Sequence, residues 1–525
     1  MQPTVRVLAV LTMLSVWAPA AWPLQDSDVD EERRDKLKAI AEVEETVMVP
    51  MRDGVRLAAD VYRPKDAEGP LPTIFWRTPY NFHRLRGTRL LFVLGAIEHG
   101  YAFVIQNERG KFHSEGEWEI LGFPRTDGHD ALTWIAEQPW SNGRVGTIGC
   151  SSSAEWQMAL AATDHPAHAA MVPMAAGAGI GRVGEYYEQG NWYRGGVPQM
   201  FYLPWLYGVQ NTQRPRFDDG VSDEDLVRLS KYFDLAPEMP EVKWKKKIRH
   251  LPVADVMSDV EGPKGMHADF FARKPDDPEW YEGGLYHDDE DFGVPALWLN
   301  SWFDVSIAPN LALYNHVRNN ASDPAVRDNQ YMVVAPTLHC RFFRPSYDLK
   351  VGDREMGNAN FDYEGLIYRW FDKWLKGEDN GFEKDTPKVR YYAMGANEWR
   401  SAEEWPPRAA EPMTLYLDSD GGANSLFGDG RLVREVPTDN HADRFTYDPT
   451  VPVPSLGGGI CCIGNTIDGG SFDQRPNEAR IDVLVYTSEE LTEPLDVSGS
   501  VEVVLYVSSD AKDTDFTVKL IDVYP

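Results

Sequence analysis

Residues 143–156 read G-R-V-G-T-I-G-C-S-S-S-A-E-W. An apolar run with strand character, R-V-G-T-I-G-C, ends on three serines, and E-W-Q-M-A-L-A-A follows with helical character. A nucleophilic serine on a sharp strand-to-helix turn needs small residues two places before and two after it, because the backbones crowd there. Ser151 meets that condition, with Gly149 on one side and Ser153 on the other. Ser152 lies between Cys150 and Ala154, which are small but include no glycine. Ser153 is followed by the bulky Glu155, and Cys150 as nucleophile would have Ile148 before it. Ser151 is therefore the candidate, although G-x-S-x-S also describes an ordinary strand–helix turn.

A serine hydroxyl needs a base, and the base needs an orienting acid. Where these follow in the order serine, acid, histidine, each partner is carried at the end of a strand. Asp304 follows P-A-L-W-L-N-S-W-F, and His339 follows Y-M-V-V-A-P-T-L. His287, in Y-H-D-D-E-D, reads instead as a solvated loop residue.

The surrounding 525 residues exceed one compact core, so two or three domains are expected. A net charge of −30 repels phosphate backbones and argues against nucleic-acid binding. Residues 1–21 combine Arg6, the apolar run V-L-A-V-L-T-M-L-S-V-W and A-P-A-A, which reads as a cleaved signal peptide, with an uncleaved anchor as the alternative. A secreted or periplasmic protein with no later membrane contact is expected. Residues 22–44 are charged and read as a linker. V-M-V-P-M-R-D-G-V-R-L-A-A-D-V-Y-R-P then reads as a hairpin turning at Asp53-Gly54. Strands alternating with helical patterns over 45–179 imply an α/β domain with a mainly parallel sheet. A helical cap is expected over 180–285, including D-E-D-L-V-R-L-S-K-Y-F, and the α/β core resumes over 286–384. From 385 to 525 the strands T-L-Y-L-D, I-D-V-L-V-Y-T, V-E-V-V-L-Y-V and F-T-V-K-L-I-D-V imply a β-sandwich. The four cysteines make neither a disulfide scaffold nor a zinc site by spacing. Buried free thiols are expected at Cys150 and Cys340, with one or two bridges left open.

The sequence resembles the CocE/NonD-type α/β-hydrolases, the group of cocaine esterase, α-amino acid ester hydrolases, glutaryl acylases and X-prolyl dipeptidyl peptidases. The matching stretches include M-R-D-G-V-R-L-A-A-D-V-Y-R-P, R-G-K-F-H-S-E-G, Q-P-W-S-N-G-R-V-G-T-I-G-C-S, N-S-W-F-D and M-G-A-N-E-W-R-S-A-E-E-W-P. The resemblance implies a hydrolase core with an inserted helical cap and a C-terminal jelly roll (galactose-binding-like). It implies Ser151 as nucleophile, Asp304 as acid and His339 as base. It also implies an oxyanion hole from the Tyr80 hydroxyl and the Ser152 N–H. The sequence departs from the group at Ser152, where tyrosine is frequent, at Ala154, where glycine is, and in A-P-T before His339. Relatives continue through more strands past D-V-Y-P, so an incomplete jelly roll is expected.

The expected activity is hydrolysis of a small ester or amide through an acyl-enzyme, with no metal or organic cofactor. An X-prolyl dipeptidyl peptidase and a non-catalytic binding protein are the alternatives. Candidate substrate contacts are the cap aromatics Trp192 and Tyr193 and the carboxylates Asp276 and Asp277, which would suit an ammonium but equally a solvated loop. Association into a homo-oligomer is left open.

Overall fold

The computed structural model describes residues 24–83, 85–209, 222, 240–262, 266–343, 347–439, 441–463 and 466–524. The expected signal peptide and the helix expected over 223–233 lie outside the described residues.

Ten strands form one sheet: β1 Ala41–Pro50, β2 Arg56–Pro64, β3 Leu71–Thr78, β4 Ala102–Asn107, β5 Ser141–Cys150, β6 His168–Met174, β7 Ala296–Phe303, β8 Gln330–Leu338, β9 Val389–Ala393 and β10 Glu398–Ala402. Their order is β1-β2-β4-β3-β5-β6-β7-β8-β9-β10. β1 and β2 pair antiparallel around the Asp53-Gly54 turn, where Gly54 has φ +86° and the Asp53 carboxylate accepts the Val55 N–H at 3.1 Å. From β4 to β9 the neighbours run parallel. Parallel strands are covered on both faces, which is why β4 and β8 read as unbroken apolar runs and are buried almost throughout.

Helices α1 Leu24–Ile40, α2 Gly87–Glu98, α3 His129–Ala136, α4 Ser152–Ala161, α5 Tyr202–Val209, α6 Ile307–Asn320 and α7 Tyr363–Phe371 are the principal ones. One core joins Leu90 and Val93 of α2 and Ile367 and Phe371 of α7 to Ile105, Ile148 and Leu299 of the sheet. Two further clusters, which include Trp156 and Met158 of α4 and Leu313 of α6, take in Phe75, Val104 and Trp298.

Five expectations are corrected. Residues 22–44 are not a linker: α1 occupies Leu24–Ile40 and β1 begins at Ala41. This helix has a narrow apolar edge. Leu37 is buried, while Arg33–Asp30 and Lys36–Glu98 ion pairs accommodate its charges. The cap over 180–285 is mixed rather than helical. Ile180–Val183 pairs with Tyr186–Tyr187 and Tyr286–His287 in a small sheet beside α5 and shorter helices. His287 is consequently buried, stacked on Tyr281 at 3.9 Å and 3.2 Å from Gln189 Oε1, not a solvated loop residue. The core sheet also continues past residue 384, because β9 pairs with β8 and a turn through Gly395 (φ +95°) returns β10 antiparallel. Beyond Ala402, among the described residues, Tyr416–Asp418 and Arg431–Val433 form a ladder, and other pairings are isolated bridges. The strands expected over 481–487, 501–507 and 516–523 are not formed, and Val501, Val504, Tyr506, Val518 and Leu520 are exposed. An alternating apolar segment becomes a strand only beside a partner that accepts its hydrogen bonds.

Trp298 of β7 donates from Nε1 to Gln330 Oε1 of β8 at 2.9 Å and is fully buried. Trp298→Ala is expected to destabilise the protein by about 3–5 kcal/mol, read as a lower urea midpoint followed by tryptophan fluorescence.

Candidate active site

Ser151 lies between β5 and α4 with φ 58° and ψ −140°, a conformation costly for a side-chain-bearing residue. The turn closes tightly: the Ser151 carbonyl accepts the Ala154 N–H at 2.6 Å and the Glu155 N–H at 3.0 Å. A Cβ on Gly149 would collide with the Ser153 carbonyl, so glycine there is a steric requirement. The Ser153 hydroxyl is buried, 2.8 Å from Thr78 Oγ1.

Asp304 follows β7 and is buried. Its Oδ1 accepts the Ser306 N–H at 2.8 Å and the Ser306 hydroxyl at 2.7 Å. Its Oδ2 lies 2.8 Å from Nδ1 of His339, which follows β8. Burial works against the Asp304 charge, but His339 and the Ser306 donors outweigh it and hold the carboxyl below the usual range. Burial likewise opposes protonation of His339, yet the Asp304 charge and hydrogen bond, with a smaller push from Glu155, raise it above 6.5. The Nδ1 contact leaves Nε2 pointing elsewhere, and Nε2 has no hydrogen-bond partner. His339 and Ser151 line one pocket.

Tyr80 follows β3 and is held by its backbone: Asn107 Nδ2 donates to its carbonyl at 2.9 Å, and its N–H donates to Thr78 Oγ1 at 3.2 Å. Its hydroxyl oxygen accepts from Trp205 Nε1 at 2.9 Å, which leaves the phenolic proton available to donate. Burial first, and nearby carboxylates second, push its pKa well up, so it is a neutral donor. Ser152 opens α4, where the first backbone N–H groups have no carbonyl of their own helix to bond.

The pocket walls come from several chain segments. Asn191, Phe201, Tyr202 and Trp205 belong to the cap, Glu155 to α4, and Cys461 and Cys462 to the C-terminal region. Both polar atoms of the Asn191 side chain are buried without partners. Burial raises Glu155 to about 8. A larger cavity of about 430 Å³ lies between α7 and the outer face of β8, lined by His99, Tyr331 and Tyr368. It contains none of Ser151, Asp304, His339 or Tyr80, so volume alone does not mark the chemistry.

The four residues singled out in the cap take other positions. Trp192 packs against Tyr202 at 4.5 Å and Phe270 at 4.8 Å, one layer behind the pocket. Tyr193 donates to the carbonyls of Phe270 and Arg273. Asp277 caps the turn 278–281 by accepting the Glu279 N–H at 3.0 Å, and Asp276 is exposed. None of the four lines the pocket with Ser151. Nor are Cys150 and Cys340 free thiols: they form a disulfide with Cα atoms 6.0 Å apart, and Cys461 and Cys462 form another. β6 and β7 separate β5 from β8, so the turn after His339 must span two strand ends to reach Cys150, a tertiary path with no local sequence mark.

A parallel sheet of this order with a serine on the turn after β5 defines a serine hydrolase of the α/β-hydrolase fold. The chain belongs to the X-Pro dipeptidyl-peptidase (S15) family, whose pattern it matches over residues 53–341. Residues 380–525 match the C-terminal non-catalytic domain of X-Pro dipeptidyl-peptidases. A cocaine esterase from Rhodococcus sp. (strain MB1 Bresler) is 34% identical over 497 residues, spanning 92% of this chain and 80% of that protein. An aminopeptidase from a marine sediment archaeon (Thaumarchaeota archaeon) superposes with a TM-score of 0.64 at 24% identity, covering 86% of this chain and 73% of the other. An α-amino acid ester hydrolase superposes with 0.60 at 24% identity, covering 94% and 77%. The resemblance read from the motifs holds.

Titrated by NMR, His339 is expected to show a pKa above 6.5. Asp304→Asn should bring it below 6.5, because burial is then opposed only by Glu155. An unchanged value would remove Asp304 as the cause.

Proposed function

We propose that the protein hydrolyses small acyl or aminoacyl esters through an acyl-enzyme on Ser151. The observation that carries this reading is the unpartnered His339 Nε2, oriented by Asp304 and opening on the pocket that holds Ser151. In the first step His339 Nε2 takes the Ser151 proton as Oγ bonds to the acyl carbon. The developing oxyanion accepts from the Tyr80 hydroxyl and the Ser152 N–H. The intermediate collapses, the C–O bond to the leaving alcohol breaks, and His339 returns the proton to that oxygen. Water then repeats the sequence on the acyl-enzyme and releases the acid. Asp304 stays ionised and steadies the imidazolium.

The preference for esters over X-Pro peptides is supported by the pocket's chemistry. A dipeptidyl peptidase must hold a charged N-terminus and a proline ring together, whereas an acyl ester brings no ammonium and an aminoacyl ester brings one without the ring. The carboxyl on this pocket's wall apart from the acid partner, Glu155, is kept neutral near pH 7 by burial. Aromatic walls from Phe201, Tyr202 and Trp205 suit a compact apolar acyl group, with Asn191 as a polar contact. Export is part of the proposal and is supported by the leader-like residues 1–21; N-terminal sequencing of protein recovered outside the cytoplasm tests it.

A fluorophosphonate probe is expected to label the protein, and Ser151→Ala to abolish labelling and lower kcat by several orders of magnitude. Ser152→Ala and Ser153→Ala should keep the label. Tyr80→Phe should lower kcat by roughly 10²–10³ with a smaller change in KM, as for loss of one oxyanion donor. The rate should fall with pH as His339 protonates, because only neutral imidazole accepts the serine proton; an acid limb below 6.5 would contradict the raised pKa. Comparison of kcat/KM for phenylglycine methyl ester, a p-nitrophenyl acyl ester and Ala-Pro-p-nitroanilide separates esterase from peptidase. A tenfold advantage for the last, about 1.4 kcal/mol, would establish the peptidase reading instead.

A further inference from the structure

His339 belongs to a second group of ligand atoms. Cys461 Sγ, Cys462 Sγ and a ring nitrogen of His339 all lie within 4.8 Å of one another. The two cysteines are joined as a vicinal disulfide, and Cys462 is exposed enough for a reductant to reach. Thiolates bind soft metal ions, whereas a disulfide does not offer that donor. We propose that reduction of the Cys461–Cys462 bond turns this wall of the pocket into a zinc site made of both cysteine sulfurs and His339 Nε2.

The geometry suits the ion. Zn–S bonds near 2.3 Å and Zn–N bonds near 2.0–2.1 Å in a tetrahedral site place ligand atoms about 3.5–3.8 Å apart. That spacing falls within the 4.8 Å envelope of the three atoms. His339 is already set up as a ligand: its Nδ1 is engaged by the Asp304 carboxylate, which leaves the Nε2 lone pair directed away. A carboxylate behind the ring is the usual support for a zinc-bound histidine.

The reduction balances with a trialkylphosphine and water. The phosphine gives up two electrons and takes the water oxygen to become its oxide. The S–S bond breaks, and each sulfur receives one of the two water protons. Zn²⁺ then replaces both thiol protons, which leave to solvent, and forms two Zn–S bonds and one Zn–N bond. Water fills the fourth position. The Nε2 lone pair cannot hold zinc and accept the Ser151 proton together, so metal binding stops turnover. This consequence rests on His339 being the base; the site itself does not.

The test uses full-length protein, treated or untreated with the phosphine, desalted without oxygen and titrated with Cd²⁺ as a spectroscopic stand-in. Reduced protein should bind one Cd²⁺ per chain with a thiolate-to-cadmium charge-transfer absorption, and untreated protein should show none. Cys461→Ser/Cys462→Ser, reduced in the same way and shown folded by circular dichroism, should lose the absorption. His339→Ala should keep it and bind about tenfold or more weakly. Zn²⁺ should inhibit ester hydrolysis by reduced protein, reversibly with a chelator, and spare the untreated enzyme. The proposal is overturned if reduced wild type shows no absorption. It is equally overturned if the double serine variant retains it, which would assign the metal to Cys150 and Cys340. Absorption without ester hydrolysis in any state would sink the esterase reading and leave the metal site standing. Hydrolysis without absorption would do the reverse.

Discussion

The 2.8 Å contact between Asp304 Oδ2 and His339 Nδ1 is the constraint around which the site is organised. It joins the ends of β7 and β8, adjacent parallel strands paired in register from Ala296↔Gln330 to Ser301↔Ala335 and, past a one-residue irregularity, at Phe303↔Leu338. A buried carboxylate is tolerable only with partners, and Asp304 has three: His339 and both donors of Ser306. With Nδ1 so engaged, the imidazole can turn only Nε2 toward Ser151. The Cys150–Cys340 disulfide adds a covalent link between the residues next to the serine and the histidine, across the ends of the two intervening strands.

What could be read from the sequence follows from how local each constraint is. The turn at Ser151 was legible because its requirement is steric and confined to five residues: a Cβ at Gly149 meets the Ser153 carbonyl. The meeting of Asp304 and His339 was legible because buried parallel strands are continuous apolar runs, and the residues after two adjacent runs come side by side. The disulfides were not, since their partners meet only after the sheet is assembled. Helix α1 was hidden by charge, because it buries little beyond Leu37 and carries its ion pairs along its length. His287 was misread for the converse reason: four acidic residues follow it, yet its short strand pairs beneath Tyr281. The alternating segments after residue 480 have strand composition, but composition does not supply a hydrogen-bonding neighbour.

In the proposed reading, chemistry and selectivity are carried by different parts of the chain. Ser151, Asp304 and His339 stand on the turns after β5, β7 and β8, rigid because the strands beneath them are covered on both faces. Much of the wall comes from α5, from Asn191 and Phe201 of the cap and from the Cys461–Cys462 segment, none of which belongs to the sheet. A substitution in these segments can therefore change which ligand fits without moving Ser151, Asp304 or His339. Glu155 is the exception. It lies one turn of α4 beyond Ser151, lines the pocket and raises the His339 pKa, while His339 in turn lowers its own. A cationic substrate group near Glu155 would favour its ionised form, and the added negative charge would raise His339 further. Binding of such a substrate and the protonation of His339 are thus coupled through one carboxyl, and the coupling acts on the one ring nitrogen that Asp304 leaves available.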